Sequence, residues 1–74
     1  MKAAEARAWL EENGWTVDPV AERGIGNTWA TGWSASAYRL ASGGIRSVSG
    51  PICRDKNDAI IQLALGVKSQ ESHP

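Results

Sequence analysis

Two arginines, Arg39 and Arg46, stand either side of the glycine pair in "YRLASGGIRSV", with Tyr38 and Ile45 beside them. A guanidinium matches planar oxyanions with two parallel donors, so this pairing could clamp a phosphate or an acidic side chain. Tyr38, Arg39, Ile45 and Arg46 are therefore the candidate partner-binding residues. The plainer and favoured reading of the two charges is a pair of solvated arginines at a sheet margin. Other groups offer less. The single cysteine, Cys53, has no histidine near it in sequence, and the single histidine, His73, lies four residues beyond Ser69 in a polar ending. A thiol nucleophile needs an adjacent base, and a zinc site needs several thiolates or imidazoles. Gly24 and Gly26 make only a fragment of a phosphate-binding glycine pattern, without the third glycine or a following helix. No catalytic residue, metal site or cofactor is expected.

The chain has 74 residues, enough for one domain and one modest core. Hydrophobic residues make up 42% and charged residues 22%, a balance that suits a folded chain. Eight Lys plus Arg offset eight Asp plus Glu, so the formal net charge is zero. Such a chain has neither the positive field of a typical nucleic-acid binder nor the negative field of a DNA mimic. One cysteine fits a reducing compartment, and Glu5, Glu11 and Glu12 interrupt the apolar stretch that a signal peptide needs. The expected location is the cytoplasm, with no membrane partner.

The elements that must position the arginines follow from periodicity. Residues Lys2 to Asn13 are rich in helix formers and stop at Gly14, with Ala3, Ala6, Trp9 and Leu10 as the apolar stripe. In "WTVDPVAE" the period falls to two, which is a strand, and Pro19 either confines it to a sheet edge or breaks it there. "RGIGN" reads as a loop. The stretch "NTWATGWSASAYR" has helix-disfavouring Gly32, threonines and serines with β-favouring Trp and Tyr, so it reads as one long central strand. Trp29, Thr31, Trp33, Ala35, Ala37 and Arg39 then share one face, with both tryptophans mainly in the core. Thr28, Ala30, Gly32, Ser34, Ser36, Tyr38 and Leu40 share the other, and its apolar end implies at least partial cover on both sides.

Ile45 to Ser49 forms the second arm of a hairpin. With Gly43 and Gly44 as the turn, Val48 falls opposite Arg39; with Ser42 and Gly43, Arg39 faces Arg46. Repulsion between like charges favours the first register unless an anion sits between them. Asp55 with Asp58 approximates a capping box for a last helix whose stripe is Ile60, Leu63, Ala64 and Val67, widened by Ile61 and Leu65.

The predicted architecture is α+β in the order α-β-β-β-α, a three-stranded antiparallel meander flanked by N-terminal and C-terminal helices. It occupies residues 1–68 as a single domain, with 69–74 as a flexible C-terminal tail. So small a core with wide helix stripes could be completed by a twofold partner, so a homodimer is expected.

"AWLEENGW" (Ala8 to Trp15), the Trp-rich strand and "SGPICRDKNDAIIQLAL" (Ser49 to Leu65) together resemble the small phage-encoded proteins of the α-β-α sandwich domain type. That resemblance implies a phage or mobile-element origin, no known catalytic residues, and action in a bacterial host cytoplasm. The function it implies is non-enzymatic: binding and blocking a host protein or defence ribonucleoprotein complex, as an anti-CRISPR or other anti-defence inhibitor does. The alternative is a small nucleic-acid-binding module using the sheet and the hairpin arginines, for which the neutral charge is unfavourable, so direct nucleic-acid binding is not expected.

Overall fold

A computed structural model describes residues 1–26 and 30–71 of the chain. The fold is α+β, with seven elements in the described residues: α1 (Ala3–Glu12), β1 (Thr16–Val17), β2 (Ala21–Gly24), β3 (Thr31–Ser34), β4 (Ser36–Ala41), β5 (Gly44–Ser49) and α2 (Lys56–Glu71). The expected helix-sheet-helix order holds. The strands fall into two sheets, β1-β4-β5 and β2-β3, both antiparallel.

Helix α1 closes with a double main-chain lock. Gly14, at φ 86°, donates its N–H to the Glu11 carbonyl at 3.1 Å, and Trp15 donates to Leu10 at 3.0 Å. These two bonds are the Schellman ending, in which a left-handed residue, here glycine, turns the chain back over the helix. The turn drops Trp15 onto Leu10, and both are buried. Helix α2 opens with Asp55, the capping residue the sequence marks, but its carboxylate accepts the N–H of Asn57, at 3.1 Å, where the expected capping box pairs it with Asp58. Its far end departs from expectation: the helix runs through Gly66 to Glu71 and does not give way to a tail at residue 69.

The predicted long strand is broken at Ala35. Before it, β3 pairs with β2; after it, β4 pairs with β1 and β5. Trp33 also exchanges main-chain bonds with Cys53, at 2.6 and 2.7 Å, and the Ala35 carbonyl accepts from Gly50 at 2.9 Å. Ala35 is thus where the chain changes partners. Strand β2 replaces part of the expected loop, because Arg23 and Gly24 pair with Gly32 and Thr31. Pro19 does follow an edge strand, since β1 is two residues long and pairs only with β4.

Both helices lie on one side of the three-stranded sheet. The core consists of Ala6 and Leu10 of α1, Trp15, Ala35, Ala37, and Ala59, Leu63, Ala64 and Val67 of α2. Five of these nine are alanines, so the helices settle close, and few large side chains fill the interior. Trp9, Val17, Trp33, Val48, Cys53, Ile60 and Ile61 pack around its rim, half-buried. Leu65, expected to widen the helix stripe, is 45% exposed instead. Trp29 and His73 lie outside the described residues.

Candidate functional site

The register of the hairpin decides what its residues can do together. Arg39 stands directly opposite Arg46, Leu40 opposite Ile45, and Ala41 opposite Gly44 across a Ser42–Gly43 turn. This corrects the register that charge repulsion favoured. Gly44 takes φ 129°, a conformation open to glycine, immediately after the turn. The Arg39 charge is answered from a distance. Its Nη1 donates to Glu71 Oε1 at 3.1 Å and to the Asn13 carbonyl at 3.4 Å, and its Cζ lies 4.6 Å from the centre of the Trp15 ring. Trp15 Nε1 donates to the same Glu71 oxygen at 3.4 Å. Arg39 therefore clasps the end of α2 to the end of α1, and the guanidinium that was a candidate clamp is engaged in the fold.

Residues directly opposite across a ladder share a face, as do residues two apart along a strand. Tyr38, Leu40 and Ile45 consequently share one face, together with Thr16, Ser36, Ser47 and Ser49. Arg39 and Arg46 share the other, with Ala37 and Val48. The four candidate residues form no single surface. Tyr38 and Ile45 lie on the open side of the sheet, and the arginines lie on the helix side, where Arg46 is exposed.

The open side is also where expectation and structure part most clearly. It was expected to be partly covered, yet Leu40 is 77% exposed, Ile45 70% and Tyr38 38%. No strand residue on this face is charged: Thr16, Ser36, Tyr38, Leu40, Ile45, Ser47 and Ser49 are all neutral. Asp18 sits at its far margin, accepting from the Ser36 hydroxyl at 3.2 Å. Beside Leu40 the β1 strand has already ended, because Thr16 pairs with Tyr38 and Gly14 belongs to the α1 turn. The gap is an open concavity of about 520 Å³ lined by Gly14, Thr16, Tyr38, Arg39 and Leu40. Leu40 was missed as a site residue although its alternation with Tyr38 already placed the two on one face. Nearness to the turn, by contrast, spans both sides of the sheet.

Two further cations cover indoles on the helix side: Lys56 Nζ is 4.3 Å from the Trp33 ring centre and Lys68 Nζ is 4.9 Å from that of Trp9. Such stacking shields partly buried aromatic surface and engages the charge. Among the described residues no group of three or more His, Cys, Asp or Glu is placed to hold a metal ion, and no helix is long and apolar enough to cross a membrane.

Among the described residues these features define a small α+β domain with both helices on one face of the three-stranded sheet and, on the other, neutral strand residues with Asp18 at the margin. Comparison with protein-family models, with curated proteins and with solved structures finds no match to the chain.

Proposed function

We propose that the chain is a non-enzymatic binding protein that lays the open face of β1-β4-β5 against a host protein complex and blocks it sterically. The observation that carries this reading is the opposed pair Leu40 and Ile45, at 77% and 70% exposure, on a face whose strand residues are neutral and whose one charge among the described residues, Asp18, sits at the far margin. Single exposed leucines are ordinary on protein surfaces. An exposed cross-strand pair next to a tyrosine and a concavity has the make-up of an interface centre, where apolar and aromatic anchors dominate and charges are scarce. The resemblance to phage proteins supplies the class of target: a bacterial defence complex, with CRISPR effectors as the leading example. Such an inhibitor works by shape, which suits a chain of zero net charge. The nucleic-acid alternative draws less support, because the open face has no cation and Arg39 is bound to Glu71.

The test is plaque formation by a CRISPR-targeted phage on cells expressing the chain. Wild type is expected to restore plaques, and Leu40→Glu with Ile45→Glu to remove that protection, while Arg46→Ala on the other face retains it. Loss of one anchor of about 2 kcal/mol corresponds to roughly 30-fold in affinity. Failure of the wild type to protect against any of the defence systems tried, or full protection by the double variant, would overturn the proposal.

A further inference from the structure

The two edges of the three-stranded sheet are built differently. The β1 edge is two residues long and runs into Asp18 and Pro19. That is how proteins blunt an edge against unwanted pairing. The β5 edge is six residues long, Gly44–Ser49, without proline or lysine, its one charge Arg46 lying exposed on the helix side, and pairs only with β4. Its outward groups can be read from the ladder. Gly50 donates to Ala35, so Gly44, Arg46, Val48 and Gly50 turn their main chain toward β4. Ile45, Ser47 and Ser49 turn theirs outward. Strand β2, the exposed strand of the smaller sheet, carries Glu22 and Arg23 in four residues. Among the described strands, β5 alone offers a long edge with one charged side chain.

We propose that β5 pairs with β5 of a second copy of this chain, antiparallel across a twofold axis at Ser47, joining two sheets into one of six strands. Three features on β5 select a second copy as the occupant. In this register Ile45 meets Ser49 of the second copy and Ser47 meets its counterpart, so all three outward residues exchange main-chain bonds. Arg46 meets Val48 of the other copy, not its own counterpart, so no like charges stand directly opposite. The side chain at the axis, Ser47, is small and neutral, as is Ser49 two positions on, and the chain carries no net charge to oppose association. The contact is isologous and uses up the unguarded edge of each copy, leaving only the blunted β1 edges outside, so the assembly closes at two. This dimer does not use the helix stripes, whose Ala6, Leu10, Leu63, Ala64 and Val67 are spent on the core. Its axis is perpendicular to the sheet, so both open faces lie on the same side. The pairing stands independently of the proposed host target, since it is read from oligomeric state.

Light scattering coupled to size exclusion, from micromolar to millimolar concentration, is expected to give the dimer mass for wild type. Ser47→Pro removes an N–H that serves no bond within one copy, and Ser47→Lys sets two like charges on the axis. Both are expected to elute as folded monomers, with unchanged far-UV circular dichroism. In a Cys53→Ser background, Ser47→Cys places two thiols on residues about 5.5 Å apart at Cα, within disulfide reach, so mild oxidation is expected to give a covalent dimer. A wild-type monomer throughout the range overturns the proposal, and so does a dimer that survives both Ser47→Pro and Ser47→Lys. Strand addition by a different protein at β5 would appear as the first of these results.

Discussion

Leu63→Ala is expected to leave much of the chain unfolded at room temperature. Leu63 is 1% exposed and, with Leu10 and Val67, is one of the three largest fully buried side chains among the described residues. It shares the buried cluster with five alanines, Ala6, Ala35, Ala37, Ala59 and Ala64, which have no rotamers with which to refill a hole. Collapse of the helix toward the sheet is also blocked. A Cβ built on Gly50 would already lie 3.3 Å from Leu63 Cα, so strand and helix are close to contact there. A buried leucine truncated where the surroundings cannot close costs about 2–5 kcal/mol. A core of this size supplies only about 3–5 kcal/mol in total. Urea titration followed by tryptophan fluorescence measures the difference, and a loss below about 1 kcal/mol would mean that the interior is not packed as described.

Gly32→Ala is expected to destabilise by about 1–3 kcal/mol, for the opposite reason. Gly32 lies in β3 where residues 51–53 cross it. A Cβ there would collide with Ile52 Cγ2 and lie 2.8 Å from the Cys53 carbonyl oxygen. The isoleucine tip can turn away, since Ile52 is 46% exposed. The carbonyl cannot, because it accepts the Trp33 N–H at 2.6 Å and the reciprocal bond from Cys53 holds the strand in place. The comparison is Gly24→Ala in the paired strand β2, where a Cβ would meet nothing within 4 Å. That change is expected to be neutral or mildly stabilising through lost unfolded-chain entropy, by up to about 1 kcal/mol. Equal urea midpoints for the two variants would contradict the close crossing.

What the sequence disclosed is what local chemistry controls. Gly14 ends α1, Asp55 begins α2, Pro19 marks an edge, and the steps of four from Leu63 and three from Ala64 to Val67 name the buried stripe. The rest depends on partners distant in sequence. The four residues "AERG" of β2 are all exposed and show no apolar alternation, so pairing with β3 alone makes them a strand. The break at Ala35 carries no glycine or proline, because it arises from a change of neighbours. The hairpin register went against charge repulsion because Glu71, thirty-two positions from Arg39, neutralises one guanidinium while Trp15 stacks on it. Glu71 in turn stands beyond Gly66 in a polar stretch that reads as a tail, so neither end of the clasp is legible locally. For the candidate site, alternation correctly put Tyr38 with Leu40 and Arg39 with Ala37. Which face remained bare depended on both helices choosing the same side, and no local signal encodes that choice.

Tyr38 is the single tyrosine of the chain and stands on the open face beside Leu40 and the concavity, which makes it a built-in reporter of that surface. With 3-fluorotyrosine incorporated, the protein gives its fluorine signal from this one side chain. The most direct measurement of the central claim is fluorine NMR of that signal as the defence complex identified by the plaque assay is added. The account predicts a shift or broadening that saturates with the complex and disappears in the Leu40→Glu, Ile45→Glu variant. A signal unmoved by a complex that the protein demonstrably inhibits would contradict it, and would place the functional surface elsewhere on the molecule.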